Sequence, residues 1–157
     1  MQDVPIVIVG GGLSGLYAAF LLEQKGIDYI LIEARDRLGG RITVAKSSVD
    51  LSTSSQSVDH KKPNDGFDLG PSWFWPEYQS QLSDLIEALD LTRFAQFEEG
   101  DMMVERAANE MPIRTQGYRS SPPSMRLVGG MTALTDALYA RLDAKRIVTG
   151  QTVRRLT

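Results

Sequence analysis

Apolar and polar positions follow several different rhythms along this chain. Ile6-Val7-Ile8-Val9 is an unbroken apolar run rich in β-branched residues, which predicts a strand buried on both faces. Leu13 to Lys25 reads as an amphipathic helix with Gly26 as its stop signal, and Tyr29 to Ile32 as a second strand that ends on Glu33. Ile42, Thr43 and Val44 favour extended backbone, so a short strand is expected over Arg41 to Ala45. From Lys46 to Asp65 the pattern loses nearly all large apolar residues, and an exposed or disordered loop is expected there. Phe67 and Leu69 then alternate as in a short strand, which Gly70-Pro71 breaks.

Helical spacing returns over Glu77 to Leu91, with Leu82, Leu85, Ile86 and Leu89 on one face. Met102-Met103-Val104 and Met111-Pro112-Ile113 read as two short strands around a polar turn near Asn109. Their methionines suit either an apolar pocket or irregular gaps in a core. Gln116 to Pro123 is expected to be loop, with Tyr118 as its anchor. Thr132 to Leu142 predicts a helix with Leu134, Ala137, Leu138 and Leu142 inward, and Arg146 to Val148 and Thr152 to Leu156 read as strands.

Composition narrows the classes. The 157 residues are 42% apolar and 24% charged, as in a globular protein with one core of ordinary size. A net charge of −3 gives no reason to expect nucleic acid or an anionic membrane as partner. The absence of cysteine excludes disulfides, thiol catalysis and attachment of a cofactor through sulfur. His60, the single histidine, has no ligand cluster near it in sequence, so no metal site is expected. Val4 to Val9 is too short for a signal-peptide core or a membrane span and has no basic region before it, so the expected setting is cytoplasmic.

The chemistry concentrates in the first forty residues. Gly10, Gly12 and Gly15 stand in G-x-G-x-x-G spacing between the first strand and the first helix. Gly10 suits the tight turn, Gly12 lets a pyrophosphate approach the backbone, and Gly15 lets the helix pack close to the strand. The helix start, with Leu13 and Ser14, offers N–H groups and a partial positive charge to phosphates. Glu33 lies where a carboxylate accepts hydrogen bonds from an adenosine ribose and repels a 2′-phosphate, so FAD or NAD fits better than NADP. After it, Glu33-Ala34-Arg35-Asp36-Arg37-Leu38-Gly39-Gly40-Arg41 packs three arginines and two glycines into nine residues, a loop suited to paired hydrogen bonds with phosphate.

The stretch IVIVGGGLSGLYAAFLLEQKGIDYILIEARDRLGGR resembles the flavin amine oxidase family, which includes monoamine oxidases, polyamine oxidases and L-amino-acid oxidases. That family shows V-G-G-G-x-x-G-L-x-A-A followed by E-A-x-x-R-x-G-G-R, and both motifs are intact here. The resemblance implies an α/β, Rossmann-like FAD-binding domain, incomplete, with a small α+β piece of a substrate domain. It implies FAD contacts for Gly10, Gly12, Leu13, Ser14, Gly15, Glu33, Ala34, Arg35, Gly40 and Arg41. The family's D-x-G-x-x-W segment matches Asp68, Gly70 and Trp73, which implies flavin contact for Gly70, Pro71, Ser72 and Trp73. Phe74 and Trp75 are read as core or domain seam. Val128-Gly129-Gly130-Met131 matches the family's G-G-M segment, and Val153 the valine whose backbone meets the adenine.

The same resemblance divides the chain into an FAD-binding part (1–75, with 46–65 as an insertion), a substrate-domain part (76–125) and a return to the FAD-binding layer (126–157). It covers only the leading part of the family's length, so a fragment is expected, completed by a C-terminal part or a partner chain. The implied activity of the parent enzyme is oxidation of a small-molecule amine, with hydride passing to FAD and oxygen giving hydrogen peroxide. Trp73, where L-amino-acid oxidases carry a carboxylate-binding arginine, points toward a simple amine. No residue is assigned as acid, base or nucleophile. A related desaturase or protoporphyrinogen oxidase, and a non-catalytic nucleotide-binding or subunit module, stay open as alternatives.

Overall fold

A computed structural model describes residues 5–46 and 66–155. Most of the insertion expected over Lys46 to Asp65, with His60, lies outside the described residues, as does Leu156. The centre of the fold is a three-stranded parallel sheet of β1 (Ile6–Val9), β2 (Tyr29–Ile32) and β9 (Ile147–Val148), in the order β1-β2-β9. Helix α1 (Leu13–Gln24) connects β1 to β2, as parallel pairing requires a crossover. The chain then leaves the sheet for more than a hundred residues and returns through α3 (Thr132–Tyr139) to add β9 beside β2.

Apolar side chains of α1, β2 and α3 form the core together with Ile42, Phe74, Leu85, Ile86, Leu89, Leu127 and Met131. Leu16, Ala19, Leu31, Leu134 and Leu138 have no exposed surface, and Tyr29 is 2% exposed. The Tyr29 hydroxyl donates to Glu23 Oε1 at 3.0 Å, and Arg146 stacks over the ring at 5.3 Å. Burial, reinforced by the Glu23 carboxylate, pushes the phenol pKa well up, so the hydroxyl stays protonated as a donor.

Two expectations for this core need correction. Strand β1 is not buried on both faces: Val7 and Val9 are 51% and 57% exposed. Register places them beside Ile30 and Ile32, which are half-buried, whereas Ile6 and Ile8 pack against the core. Helix α1 is not amphipathic either. It is apolar nearly all round, with Leu16, Ala19 and Phe20 buried and Tyr17 and Leu21 each 37% exposed.

The rest of the chain forms antiparallel two-stranded ribbons around α2 (Ser80–Ala88). β3 (Val44–Lys46) pairs with β4 (Gly66–Asp68), β5 (Arg93–Ala95) with β8 (Met125–Leu127), and β6 (Met102–Val104) with β7 (Ile113–Thr115). The strand expected at Met111-Pro112-Ile113 is shifted toward Thr115, because proline supplies no N–H to a ladder. Met103 and Met111 are 65% and 89% exposed, so neither fills a core gap. Tyr118 is 76% exposed and anchors nothing. Its loop is held instead by Glu98, whose carboxylate accepts from the Ser120 N–H at 2.6 Å and from the Ser120 hydroxyl. Helix α2 starts later than expected because the chain turns at Trp75 to Tyr78, and Gln79 Oε1 accepts from the Trp75 N–H at 2.9 Å. No strand forms over Thr152 to Arg155.

Candidate nucleotide site

Strand β1 runs into the glycine turn, where the Gly10 N–H donates to Ile32 O at 2.8 Å. Helix α1 starts immediately afterwards. The N–H groups of its first turn have no earlier carbonyl within the helix, no side chain caps them, and no acidic residue stands in that turn. The result is a partial positive charge from aligned peptide dipoles at Leu13, Ser14 and Gly15. Gly15 is required by packing: a Cβ there would run into the Gly10 carbonyl and crowd Ile8. At Gly12 a Cβ would fill open space, meeting only Gly40 Cα at 3.8 Å. Open space beside an uncapped helix start has the polarity that suits an anion such as a phosphate.

Glu33 closes one side of the turn. Its residue is 6% exposed, and its carboxylate accepts from the Arg35 N–H at 2.9 Å and from the Gly11 N–H at 2.7 Å. These two bonds, the Arg35 one first, hold the carboxyl below its ordinary pKa against the opposing effect of burial. An ionised carboxylate offers about four lone-pair positions, so two bonds leave acceptor capacity for ribose hydroxyls. Gly11 and Arg37 are partners that sequence reasoning missed. The Arg37 guanidinium donates to Gly40 O at 3.0 Å and to Leu38 O at 3.3 Å, so it braces its own loop, whereas Arg35 and Arg41 are exposed. The signal for Gly11 was its place between Gly10 and Gly12, facing the only acid at the end of β2.

The basic loop folds back onto the turn. The Gly39 N–H donates to Gly11 O at 2.8 Å, and Gly40 Cα approaches Gly12. The third strand region adds the other edge: the Glu33 N–H donates to Val148 O, the Gly150 N–H to Arg35 O, and the Gln151 N–H to Glu33 O. Val153 follows as a half-buried residue outside any strand. Gly70 sits against the Arg41 carbonyl, and the Leu69 N–H donates to Thr43 O at 2.9 Å. Pro71 is exposed and Ser72 half-buried, with its hydroxyl 3.5 Å from Gly70 O. Trp73 is 51% exposed and its indole N–H donates to Gln96 Oε1 at 3.0 Å, while Phe74 is fully buried in the core. The fold thus brings Gly10 to Gly15, Glu33 to Arg35 and Gly40 together, attaches Gly70 through Arg41, and leaves Trp73 toward the ribbons.

A family model for NAD(P)-binding Rossmann-like domains matches residues 8–89. The probable flavin-containing monoamine oxidase A of Dictyostelium discoideum is 33% identical over 100 residues, covering 64% of this chain and 18% of that protein. The flavin-containing amine oxidase B of Bos taurus is 33% identical over 120 residues, covering 76% of this chain and 19% of that protein. This chain belongs to the NAD(P)-binding Rossmann-like family, and its sequence is similar to those flavin-containing amine oxidases.

Solved structures of putrescine oxidase agree with that placement. A redesigned triple mutant of that enzyme superposes with a TM-score of 0.69 at 17% identity, over 96% of this chain and 51% of the other, which establishes the shared fold. The wild-type enzyme bound to putrescine superposes with a TM-score of 0.53 at 30% identity, over 76% of this chain and 22% of the other. The chain spans about a fifth of the length of the curated relatives it matches. Among the described residues no helix is long and apolar enough to cross a membrane, and no cluster of three potential metal ligands occurs.

Proposed function

We propose that this chain forms the adenosine and pyrophosphate half of the FAD site of a flavin-dependent amine oxidase. The observation that carries the reading is the uncapped start of α1, open at Gly12 and flanked by the buried Glu33 carboxylate. Leu13, Ser14 and Gly15 would donate backbone N–H groups to the pyrophosphate. Glu33 would accept from the ribose hydroxyls and exclude a 2′-phosphate by charge. Arg35 and Arg41 would neutralise phosphate charge from the exposed side. Val153 would bound the adenine, and Gly70 to Trp73 would run toward the flavin ring. The chemistry the cofactor supplies when bound is two-electron oxidation of an amine to an imine, with oxygen as final acceptor and hydrogen peroxide as product. A simple amine is the favoured substrate class, supported by Trp73 where a carboxylate-binding arginine would serve an amino acid. Putrescine, bound in one of the similar enzymes, belongs to that class.

The test is retention of flavin absorption after the purified chain is mixed with FAD and freed of excess. Retained absorption that is lost in Glu33→Gln, with NADP failing to compete, supports the reading. A folded chain that holds neither FAD nor ADP overturns it.

A further inference from the structure

Two of the motifs read separately in the sequence meet at one buried carboxylate. Asp68 ends β4, directly before the Gly70 to Trp73 segment, and its side chain is only 4% exposed. Its Oδ1 accepts from the Met131 N–H at 3.0 Å, at the start of α3, and its Oδ2 lies 3.8 Å from the Arg126 guanidinium on β8. Gly130, with φ of +74°, is the socket: a Cβ there would come within 2.7 Å of Asp68 Oδ1. Gly130 of Val128-Gly129-Gly130-Met131 therefore has a steric reason to be there that concerns Asp68 and not a nucleotide.

The segment after Asp68 is fixed at both ends. On one side Leu69 donates to Thr43 O and Gly70 abuts the Arg41 carbonyl. On the other, Phe74 and Met125 exchange backbone hydrogen bonds of 3.0 and 2.8 Å. Between these ties lie the half-buried Ser72 and the exposed Gly70, Pro71 and Trp73. Helix α3 is itself part of the core through Leu134 and Leu138, so a bond to the N–H of its N-cap Met131 references the strap to a buried element.

We propose that Asp68 is a positioning residue, which locks the Gly70 to Trp73 strap to the start of α3 through the Gly130 socket and so sets where that strap stands relative to the glycine turn. The inference deepens the FAD reading on its ring side and rests on that reading for its functional consequence, but the lock itself exists without a ligand. An isolated helix cap would leave the strap unaffected, whereas a lock couples the two.

The experiment is residue-resolved amide exchange on the 157-residue chain and on Asp68→Ala, Asp68→Asn and Gly130→Ala. In Asp68→Ala the amides of Met131, Leu69 and Phe74 are expected to exchange about tenfold faster, while those of Ile30 and Leu31 change by less than about twofold. Asp68→Asn keeps an acceptor for Met131 and is expected to recover most of the protection. Gly130→Ala is expected to mimic Asp68→Ala. Faster exchange at Met131 alone would overturn the proposal in favour of a plain helix cap, and uniformly faster exchange in all variants, Asp68→Asn included, would overturn it in favour of general destabilisation. In parallel, the variants are expected to bind ADP as the parent chain does, yet to shift the visible spectrum of bound FAD. A parent chain that binds neither ligand removes the FAD reading, while the exchange pattern still decides the lock.

Discussion

The sheet-and-helix core and the ribbons of residues 93–119 differ in what holds them together. In the core, α1 and α3 pack on a parallel sheet and several leucines have no exposed surface. In the ribbons, β5 is exposed along its whole length, and β6 and β7 at two of three residues each. The side-chain contacts there include exposed ion pairs, Arg114 with Asp101 at 2.7 Å and Arg119 with Glu99 at 2.9 Å, which stabilise little in water. The nucleotide site draws on the first region only. Its turn, acid and helix start are all anchored in buried elements, so the chain has the rigidity for cofactor binding where the proposal needs it and little of its own around Met102 to Tyr118.

The sharpest way to break this contrast is to open the core. Leu134→Ala removes a side chain with no exposed surface from the contact of α3 with α1. The expected loss is about 2–5 kcal/mol, read as a fall in Tm of roughly 2–4 °C for each kcal/mol. A similar truncation in the ribbons, at the largely exposed Met111, should leave Tm nearly unchanged. Equal losses at both sites would mean that the ribbons are as tightly packed as the core.

Gly15→Ala comes next, because the added methyl runs into the rigid Gly10 carbonyl and crowds Ile8. Overpacking of this kind costs about 1–3 kcal/mol. It also moves the helix start away from the turn, so FAD affinity should fall more than Tm does, as a titration followed by flavin absorption or fluorescence would record. Full retention of affinity would detach the helix start from the ligand.

How much of this was legible beforehand follows the same division. The boundaries of β1, β2 and the start of α1 could be read because strand runs, glycine spacing and helix stop are all local signals. The ribbon of β5 and β8 could not, since Arg93-Phe94-Ala95 has no alternation and its partner lies some thirty residues further on. Thr152 to Leu156 looked like a strand by composition, but after Gln151 donates to Glu33 O the described chain leaves the ladder, and propensity without a neighbouring strand makes no sheet. At the site, the fingerprint pointed to Gly10, Gly12, Gly15 and Glu33. It could not reveal that Glu33 holds Gly11, that Arg37 braces Gly40 O, or that Asp68 reaches Met131, because each depends on a fold-back between segments.

Glu33→Gln tests the acid directly. Glutamine keeps one acceptor but turns an amide N–H toward the Gly11 or Arg35 N–H, so nucleotide affinity should fall roughly tenfold, the scale of one hydrogen bond to a charged group. The pH dependence has a definite sign. The folded carboxyl titrates below its unfolded value of about 4.3, so the unfolded state binds more protons in the interval between them. The wild-type contribution is therefore complete above the unfolded pKa and is lost as pH falls through the folded one. Stability measured by denaturant titration should favour the wild type at pH 7 and converge with Glu33→Gln in acid. A gap that persists unchanged into acid would mean that shape, and not the ionised carboxylate, sustains the turn.

The smallest expected effect lies in the ribbons. Arg114 and Asp101 form a short ion pair, but their side chains are 75% and 41% exposed. In water such a pair contributes about 0–1 kcal/mol, because solvent screens the attraction and two long side chains lose rotamer freedom. Arg114→Ala should thus shift Tm by no more than about 4 °C, and the shift should shrink further in high salt, which shortens the screening length. A double-mutant cycle with Asp101→Ala isolates the pair from the packing of the arginine stem. A coupling well above 1 kcal/mol would show that the β6–β7 ribbon is clamped by its charges, and the division between a rigid nucleotide core and a loosely held outer lobe would then have to be redrawn.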